Sequence, residues 1–420
     1  MTARVGLAVL PAGDDSAGLG AELARADAPG LDWVRLDDTV FYWAEDGAGW
    51  DEAQARARSA GVPLEERRAP GTAADLRLVT QVGRVFQQEH PDVPVLADKG
   101  RYLVVSLDED HRARIRPHPG LCYRVEPLPA GGLVFRSAAA TPREPDPRVQ
   151  AMVDEVSGDA YRDVLTRLVG LGTRHSLGQG FRDAAELAGE RLRELGYTVS
   201  EVPITVGPGR SANVVAERLA AHRRPRETVL VTAHLDSINV VGGPAAPAPG
   251  ADDNGSGSAG LLEMARVLAS AGDAEHDLRL ILFGGEEEGL FGSTQYVASL
   301  PPEERAAIGT VINMDMIASV NTAAPSVLLE GGQVSAGLIG ELAAAAATYT
   351  ELGVQTSLRP FNSDHVPFID ASIPAVLTIE GADDANHHVH TASDTLDTVD
   401  PSLALEIVRM NLAVAASAPR

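Results

Sequence analysis

Residue types that bind metal ions occur at five places in the second half of the chain, each at the end of a predicted β-strand or in the loop after it. His234 directly follows the predicted strand Val229–Ala233. The other places hold Asp252 and Asp253, the three residues Glu286 to Glu288, Asp315, and the histidines His387, His388 and His390. Open α/β sheets bind ligands at the carboxyl ends of their strands, so five such places on one sheet predict a metal site.

The three adjacent glutamates are the strongest single signal. They follow the predicted strand Arg279–Phe283 and the turn Gly284-Gly285. Adjacent carboxylates repel one another, so their ionised forms cost stability unless cations neutralise them. The alternative is a charged helix amino terminus, where the helix dipole stabilises glutamate. The other metal-ligand residue types in this half of the chain favour the metal site.

Six short motifs in this region together resemble peptidase family M28, a family of co-catalytic zinc aminopeptidases. The motifs are Ala233–Ser237, Gly250–Gly257, Gly284–Leu290, Asn313–Met316, Ser363–His365 and His390–Thr395. They occur in the family's order, with spacings like those of the family, and the resemblance extends over residues 150 to 420. It implies the fold of the zinc exopeptidases.

The resemblance also implies a set of metal ligands. His234 and Asp315 would bind one zinc ion. Glu287 and His390 would bind a second zinc ion, and Asp253 would bridge the two. Nitrogen and oxygen ligands of this kind suit Zn²⁺, and a bridging carboxylate neutralises charge between the ions.

Further roles follow from the same motifs. Glu286 would be the general base, and Asp236 would hold the imidazole of His234 in one tautomer. Asp364, His365 and Val389 are candidates for the substrate pocket. Asp252 is expected to be a loop carboxylate or one that supports a metal ligand from behind, and Glu288 a solvated neighbour. His387 and His388 are expected to shape their loop rather than bind metal, and His175 and His276 to be surface residues.

A site of this kind would hydrolyse the N-terminal peptide bond of a peptide through a water molecule bridged by two zinc ions, with Glu286 as the base. Many relatives carry an aromatic hydroxyl where this chain has Val389. Hydrolysis of another amide, as in carboxypeptidase-like, dipeptidase-like or other amidohydrolase relatives, therefore stays open. A binding module without catalysis is a third interpretation, which the complete set of ligand-type residues disfavours.

The order of the predicted elements indicates two domains. Residues 149–420 alternate strands and helices, which predicts an α/β domain with a mostly parallel mixed sheet between helices. Residues 1–138 are expected to form a smaller β-rich α+β domain, with one amphipathic helix over Asp75–His90, and residues 139–148 a linker rich in proline and charge. The first domain would act as a lid, a prosegment or an oligomerisation module.

Composition narrows the class of protein further. The net charge of −24 over 420 residues argues against nucleic acid or an anionic membrane as a partner. Cys122 is the only cysteine, so no intrachain disulfide can form and a metal site must use His, Asp and Glu. The amino-terminal segment is a poor match to a signal peptide and no apolar run is long enough to span a membrane, which favours the cytoplasm and leaves secretion open.

Overall fold

The computed structural model describes residues 3–11, 23, 28–45, 49–115, 122–220, 227–271 and 276–417. The chain divides into two compact units. The first comprises the chain up to Ala139 together with Gln355–Ser357 and Ala382–Ala385. The second comprises Ala140–Val354, Leu358–Gly381 and the chain from Asn386 onwards. Residues 12–20, which belong to the segment considered as a signal peptide, lie outside the described residues.

The first unit is built mainly of strands. Its strands are β1 Arg4–Val9, β2 Leu31–Leu36, β3 Thr39–Ala44, β4 Leu64–Arg68, β5 Leu76–Gln81, β6 Val95–Lys99, β7 Tyr102–Ser106, β8 Tyr123–Pro127 and β9 Leu133–Ala138. Its helices are α1 Trp50–Ser59, α2 Val85–Glu89 and α3 Glu109–Arg114. One group of strands follows the order β9-β2-β3-β1-β4 and another the order β6-β7-β5-β8. The expected β-rich α+β character of this region is confirmed.

The helix predicted over Asp75–His90 is wrong. Leu76–Gln81 is strand β5, which pairs antiparallel with β7 and β8, and only Val85–Glu89 is helical. Four consecutive residues at the end of β5 are buried. A strand buried on both faces gives a nearly continuous apolar run, which hydrophobic periodicity alone does not distinguish from a helix.

The second unit has a mixed sheet covered by helices. Its strands are β10 Thr198–Val206, β11 Gly209–Arg218, β12 Thr228–His234, β13 Asp277–Phe283, β14 Ile308–Met314, β15 Ser326–Gly331 and β17 Ala375–Glu380. Strand β16 Gly353–Ser357 begins in the second unit, and its residues Gln355–Ser357 belong to the first. Its helices are α4 Pro147–Asp154, α5 Gly158–Val169, α6 Gln179–Glu194, α7 Gly257–Ser270, α8 Phe291–Ser299, α9 Pro302–Ala307, α10 Ala336–Tyr349, α11 His365–Asp370 and α12 Pro401–Ser417. Strands β10 to β15 and β17 follow the order β10-β11-β13-β12-β14-β17-β15.

The centre of this sheet is parallel. Strand β12 pairs parallel with β13 and β14, and β14 pairs parallel with β17, whereas β10, β11 and β15 join antiparallel at the sides. Strand β12 is buried from Val229 to His234, as expected for a parallel strand covered on both faces. Helix α7 packs against β12 and against α5 and α12. The expected mixed α/β sheet between helices is confirmed.

Burial of apolar side chains holds this sheet in place. Leu230, Ile281, Val311 and Phe368 belong to one cluster of buried side chains. Burying each such side chain contributes about 1.5–3 kcal/mol. Within the described part of the chain, no helix combines the length and the apolar character needed to cross a membrane.

Candidate metal centre

Parallel strands bring the ligand-type residues to one edge of the sheet. His234 is the last residue of β12 and lies in register with Phe283, the last residue of β13. Asp315 directly follows β14, and the glutamates at 286 and 287 follow β13 after a short turn. Because these strands run in the same direction, their carboxyl ends meet, and the side chains after them converge.

Two groups of side chains at this edge could each hold a metal ion. In the first, Nε2 of His234 lies 3.2 Å from Oδ1 of Asp253 and 3.2 Å from Oδ1 of Asp315. In the second, Nε2 of His390 lies 3.1 Å from Oδ2 of Asp253 and 2.9 Å from Oε2 of Glu287. Asp253 thus contributes one oxygen to each group. Imidazole nitrogens and carboxylate oxygens are the donors that Zn²⁺ accepts in proteins without cysteine ligands.

The two groups differ in their exposure. The first consists of three buried residues, whereas Glu287 and His390 of the second are half-buried. The His390 side chain is 16% exposed, against 1% for His234. The second group is therefore the one more open to solvent. Oε1 of Glu287 is buried and has no hydrogen-bond partner among the described residues, which fits an oxygen that serves as a ligand.

The charges of these groups are strongly coupled. Burial opposes the charged form of His234, but the carboxylates of Asp315 and Glu286 and hydrogen bonds to Asp236 and Asp253 raise its pKa well above the usual value. Burial also opposes ionisation of Asp253, yet the hydrogen bonds from both histidines bring the pKa of this carboxyl below its usual range. The Asp253 carboxylate, which lies between two imidazoles, therefore keeps its charge to lower pH than an ordinary aspartate.

The two glutamates after β13 have raised pKa values. Burial and the neighbouring charge of Asp253 raise the pKa of Glu287 to about 7. Burial raises the pKa of Glu286 well above its usual value, and the charges of Asp315 and Asp364 add to this effect. Glu286 is only 8% exposed and belongs to neither ligand group. Cations bound beside these carboxyls would lower both pKa values by Coulomb attraction.

Several neighbours orient the ligand atoms. Nδ1 of His234 lies 3.2 Å from the main-chain oxygen of Asp236 and 3.7 Å from its carboxylate, whose other oxygen accepts the backbone N–H of Glu287 at 3.1 Å. The hydroxyl of Ser363 donates to Oδ2 of Asp315 at 2.6 Å. These contacts leave Nε2 of His234 and Oδ1 of Asp315 directed at the first group.

The candidate pocket residues lie at different depths. Asp364 and His365 are fully buried, and neither side chain has a direct hydrogen bond of standard geometry among the described residues. Burial raises the pKa of Asp364 to about 7. Val389 is half-buried beside His390, and His387 is exposed. The imidazole of His388 lies 3.0 Å from the hydroxyl of Ser393 and belongs to neither group.

Several expectations of solvated or surface side chains are wrong. Glu288 accepts the backbone N–H of Ser176 at 3.2 Å and lies 3.3 Å from Nε2 of His175, and burial raises its pKa to about 8. His276 is buried, with 7% exposure. The long-range contacts that bury these side chains carry no signal in the local sequence.

Two further buried residues lie behind the ligands and were given no role from the sequence. The carboxylate of Asp394 accepts the backbone N–H groups of Asp252 and Asp253 at 2.8 and 3.0 Å. The guanidinium of Arg174 is fully buried and bonded to main-chain carbonyls of the same loop. Asp394 lies in the motif His390–Thr395 and could have been singled out, whereas an arginine between two helices is normally a solvated residue.

The fold of the chain is that of solved exopeptidases. It matches the LapA aminopeptidase of Legionella pneumophila with a TM-score of 0.59 and 18% identity, over 82% of this chain and 99% of that one. It matches BSAP, a zinc aminopeptidase from Bacillus subtilis, with a TM-score of 0.55 and 18% identity, over 62% and 95% of the two chains. The expected zinc-exopeptidase-like fold is confirmed.

A sequence match points to the same family as the motifs. The model of peptidase family M28 matches residues 213–415. This match confirms the resemblance to peptidase family M28 seen in the motifs.

Curated relatives match part of the chain. The aminopeptidase YwaD of Bacillus subtilis is 31% identical over 192 residues, which are 45% of this chain and 40% of the relative. An aminopeptidase of Pseudomonas aeruginosa is 39% identical over 169 residues, which are 38% and 29% of the two chains. The chain thus spans less than half the length of these relatives.

Proposed function

We propose that this protein is a metal-dependent aminopeptidase that binds two zinc ions per chain. The observation that carries the proposal is the pair of donor groups sharing Asp253, with the carboxyl of Glu286, which belongs to neither group, nearby. His234 and Asp315 would bind one ion, Glu287 and His390 the other, and Asp253 both. The aminopeptidases and zinc metalloproteases among its relatives support the same activity.

The chain's own residues would perform the proton transfers. When bound, the zinc ions would supply Lewis-acid stabilisation of the charge that develops on the substrate carbonyl. The Glu286 carboxylate accepts a proton from the attacking water and returns it to the leaving amine. Its burial keeps the carboxyl poorly solvated, which makes it a stronger base when a cation holds it ionised. Asp236 and Ser363 hold His234 and Asp315 in place through the contacts described above.

Replacing Glu286 tests the division of roles between the glutamates. We expect Glu286→Gln to lower kcat by about 10²–10⁴-fold, the usual contribution of a general base, with zinc content unchanged. Glu303→Gln, at an exposed glutamate of α9, is the matched control and should retain full activity. Zinc is measured by atomic absorption on the purified full chain. If zinc is lost together with activity in Glu286→Gln, then Glu286 is a ligand and the assignment is wrong.

The choice of substrate distinguishes the aminopeptidase from other amide hydrolases with the same metal site. Amino-acid p-nitroanilides with a free amine should be cleaved, and the same compounds with an acylated amine should not. If the free and the acylated compounds were cleaved equally well, the protein would be an amidohydrolase rather than an aminopeptidase. A purified chain that binds no zinc would support a non-catalytic binding module.

We also propose that residues 1–138 and 149–420 are separate domains joined by residues 139–148. Division of the chain after Ala139 supports this proposal. The carboxylate of Asp146 caps α4 by accepting the backbone N–H of Arg148, so a truncated chain beginning at Asp146 keeps that cap. Higher activity of the truncated chain would indicate that the first domain is an inhibitory lid. Loss of activity would indicate a structural or substrate-binding role.

A further inference from the structure

Arg174 lies outside residues 213–415. Among the described residues it is the one arginine whose guanidinium contacts the loop between the proposed ligands His234 and Asp253. It lies in the connection between α5 and α6 and is 0% exposed. Burying an arginine is costly unless its donors are satisfied and its charge is compensated. The contacts of Arg174 therefore indicate what its burial accomplishes.

The donors of Arg174 are directed at main-chain carbonyl groups. Nε donates to the carbonyl of Leu235 at 2.8 Å, Nη1 to that of Pro249 at 2.6 Å and Nη2 to that of Gly250 at 2.9 Å. A longer contact of 3.5 Å joins Nη1 to the carbonyl of Leu168. The planar guanidinium holds these acceptors in fixed directions, which the single ammonium of a lysine does not do.

These carbonyls lie at the two ends of one loop. Leu235 directly follows the proposed ligand His234, and Gly250 precedes Asp253 by three residues. Arg174 therefore joins the two ends of the segment that connects two ligands of the first group. Its backbone N–H also donates to the hydroxyl of Ser237 at 3.1 Å, and this hydroxyl donates to the carbonyl of Ala248 at 2.8 Å.

Gly250 permits the close approach of the guanidinium. Its φ is +56°, and a Cβ atom there would lie 2.8 Å from Nη2 of Arg174. Burial lowers the pKa of Arg174, and the nearby carboxylates of Asp394, Asp236 and Asp253 offset part of this effect through space. The guanidinium thus bonds to the carbonyls of the loop and is also attracted by carboxylates of the candidate centre.

We propose that Arg174 is a positioning residue for metal binding: its guanidinium fork fixes the spacing of His234 and Asp253 by tying together the ends of residues 235–250. This inference rests on the proposed function, because it assumes that these two residues bind zinc. Partners that orient metal ligands typically contribute 10–100-fold in metal affinity when they are replaced.

Zinc affinity of the full chain, measured by competition with a chromophoric chelator, tests the proposal without relying on activity. We expect Arg174→Lys and Arg174→Met to weaken zinc binding by about 10- to 100-fold. Lysine keeps the charge but lacks the fork, so it should not restore affinity. Arg218→Met is the matched control, because Arg218 also donates to a main-chain carbonyl, that of Leu268, at 2.6 Å. Its zinc affinity should equal that of the wild type.

Ser237→Ala provides a milder variant in case Arg174→Met does not fold. Removing this hydroxyl loosens the same loop, so zinc affinity should fall, though less than in Arg174→Lys. Wild-type affinity in both Arg174→Lys and Ser237→Ala would overturn the proposal and leave the proposed function intact. A wild-type chain that binds no zinc would overturn both, so the two failures are distinguishable.

Discussion

Two adjacent aspartates, Asp252 and Asp253, are both buried at the same edge of the sheet, yet their surroundings are opposite. The Asp252 carboxylate accepts the backbone N–H of Ala318 at 2.8 Å, the Ser319 hydroxyl at 2.8 Å and the Asn386 amide at 2.7 Å. The Asp253 carboxylate faces imidazole nitrogens, one on each oxygen. Two residues of the same type, one peptide bond apart, thus differ in all their side-chain partners.

The comparison shows that partners, rather than residue type, decide which carboxylate can bind metal. The donors around Asp252 are neutral N–H and O–H groups, which keep their protons and occupy its lone pairs. Burial raises the pKa of Asp252, and burial together with the charge of Asp252 raises the pKa of Glu380 beyond its usual range. The imidazoles around Asp253 can release their protons to admit a cation.

The largest effect that separates the two aspartates should come from Asp253→Asn compared with Asp252→Asn. Asp253 belongs to both ligand groups, so we expect its replacement to remove both zinc ions and to reduce turnover to background. Asp252→Asn should retain zinc and lose about 1–3 kcal/mol of unfolding free energy, because an amide leaves buried donors unpaired. Zinc content and urea unfolding of the two variants measure the difference. Equal loss of zinc in Asp253→Asn and Asp252→Asn would contradict the inference that only Asp253 binds metal.

Much of this edge of the sheet could be predicted from sequence. Strand β12 is a short, mostly apolar run that ends at His234, and β14 is one that is followed by Asp315, so their type and their ends are encoded locally. Only the motif Gly250–Gly257 indicates that Asp253, rather than Asp252, is the bridging ligand. The contacts that explain it come from far along the chain, since Asn386 lies 134 residues after Asp252.

The roles of buried charges are the part that sequence did not reveal. Arg174 and Glu288 belong to residue types that are mostly solvated, and only the folded chain shows the carbonyls and histidine that bury them. The same holds in the first unit for β5, whose apolar run fits a helix until its pairing with β7 and β8 is known. Local pattern predicts elements, whereas desolvation depends on tertiary contacts.

A moderate effect should appear in the pH dependence of stability. Burial raises the pKa of Glu287 and of Asp394 to about 7 each, so the folded metal-free chain keeps protons that the unfolded chain loses. Its unfolding free energy should therefore fall as pH rises from about 4.5 to 7, by about 1.4 kcal/mol per pH unit for each retained proton. His234, with its raised pKa, acts in the same direction: its contribution is complete below about pH 6.5 and is lost as pH rises through the folded value.

Zinc should reverse this trend, because binding needs ionised carboxylates and neutral imidazoles. The lowered pKa of Asp253 changes stability only in acid, below its unfolded value of about 4, and so adds no slope near neutrality. Urea unfolding from pH 5 to pH 8, with zinc and with a chelator, measures both curves. If the curves with zinc and with the chelator are parallel, zinc does not change the titration of the carboxyls around Asp253. These carboxyls would then titrate like those around Asp252.

The smallest effect should come from Ser319→Ala, which removes one donor to Asp252. We expect a loss of about 1 kcal/mol in unfolding free energy, with zinc content and kcat unchanged, because Asn386 still donates to the same carboxylate oxygen. Ser335→Ala is the matched control, since this buried hydroxyl donates to the carbonyl of Ala375 at the start of β17. A fall in zinc affinity in Ser319→Ala alone would mean that the network around Asp252 helps to position Asp253. The two aspartates would then act as one unit, and the boundary of the metal centre would extend to Glu380.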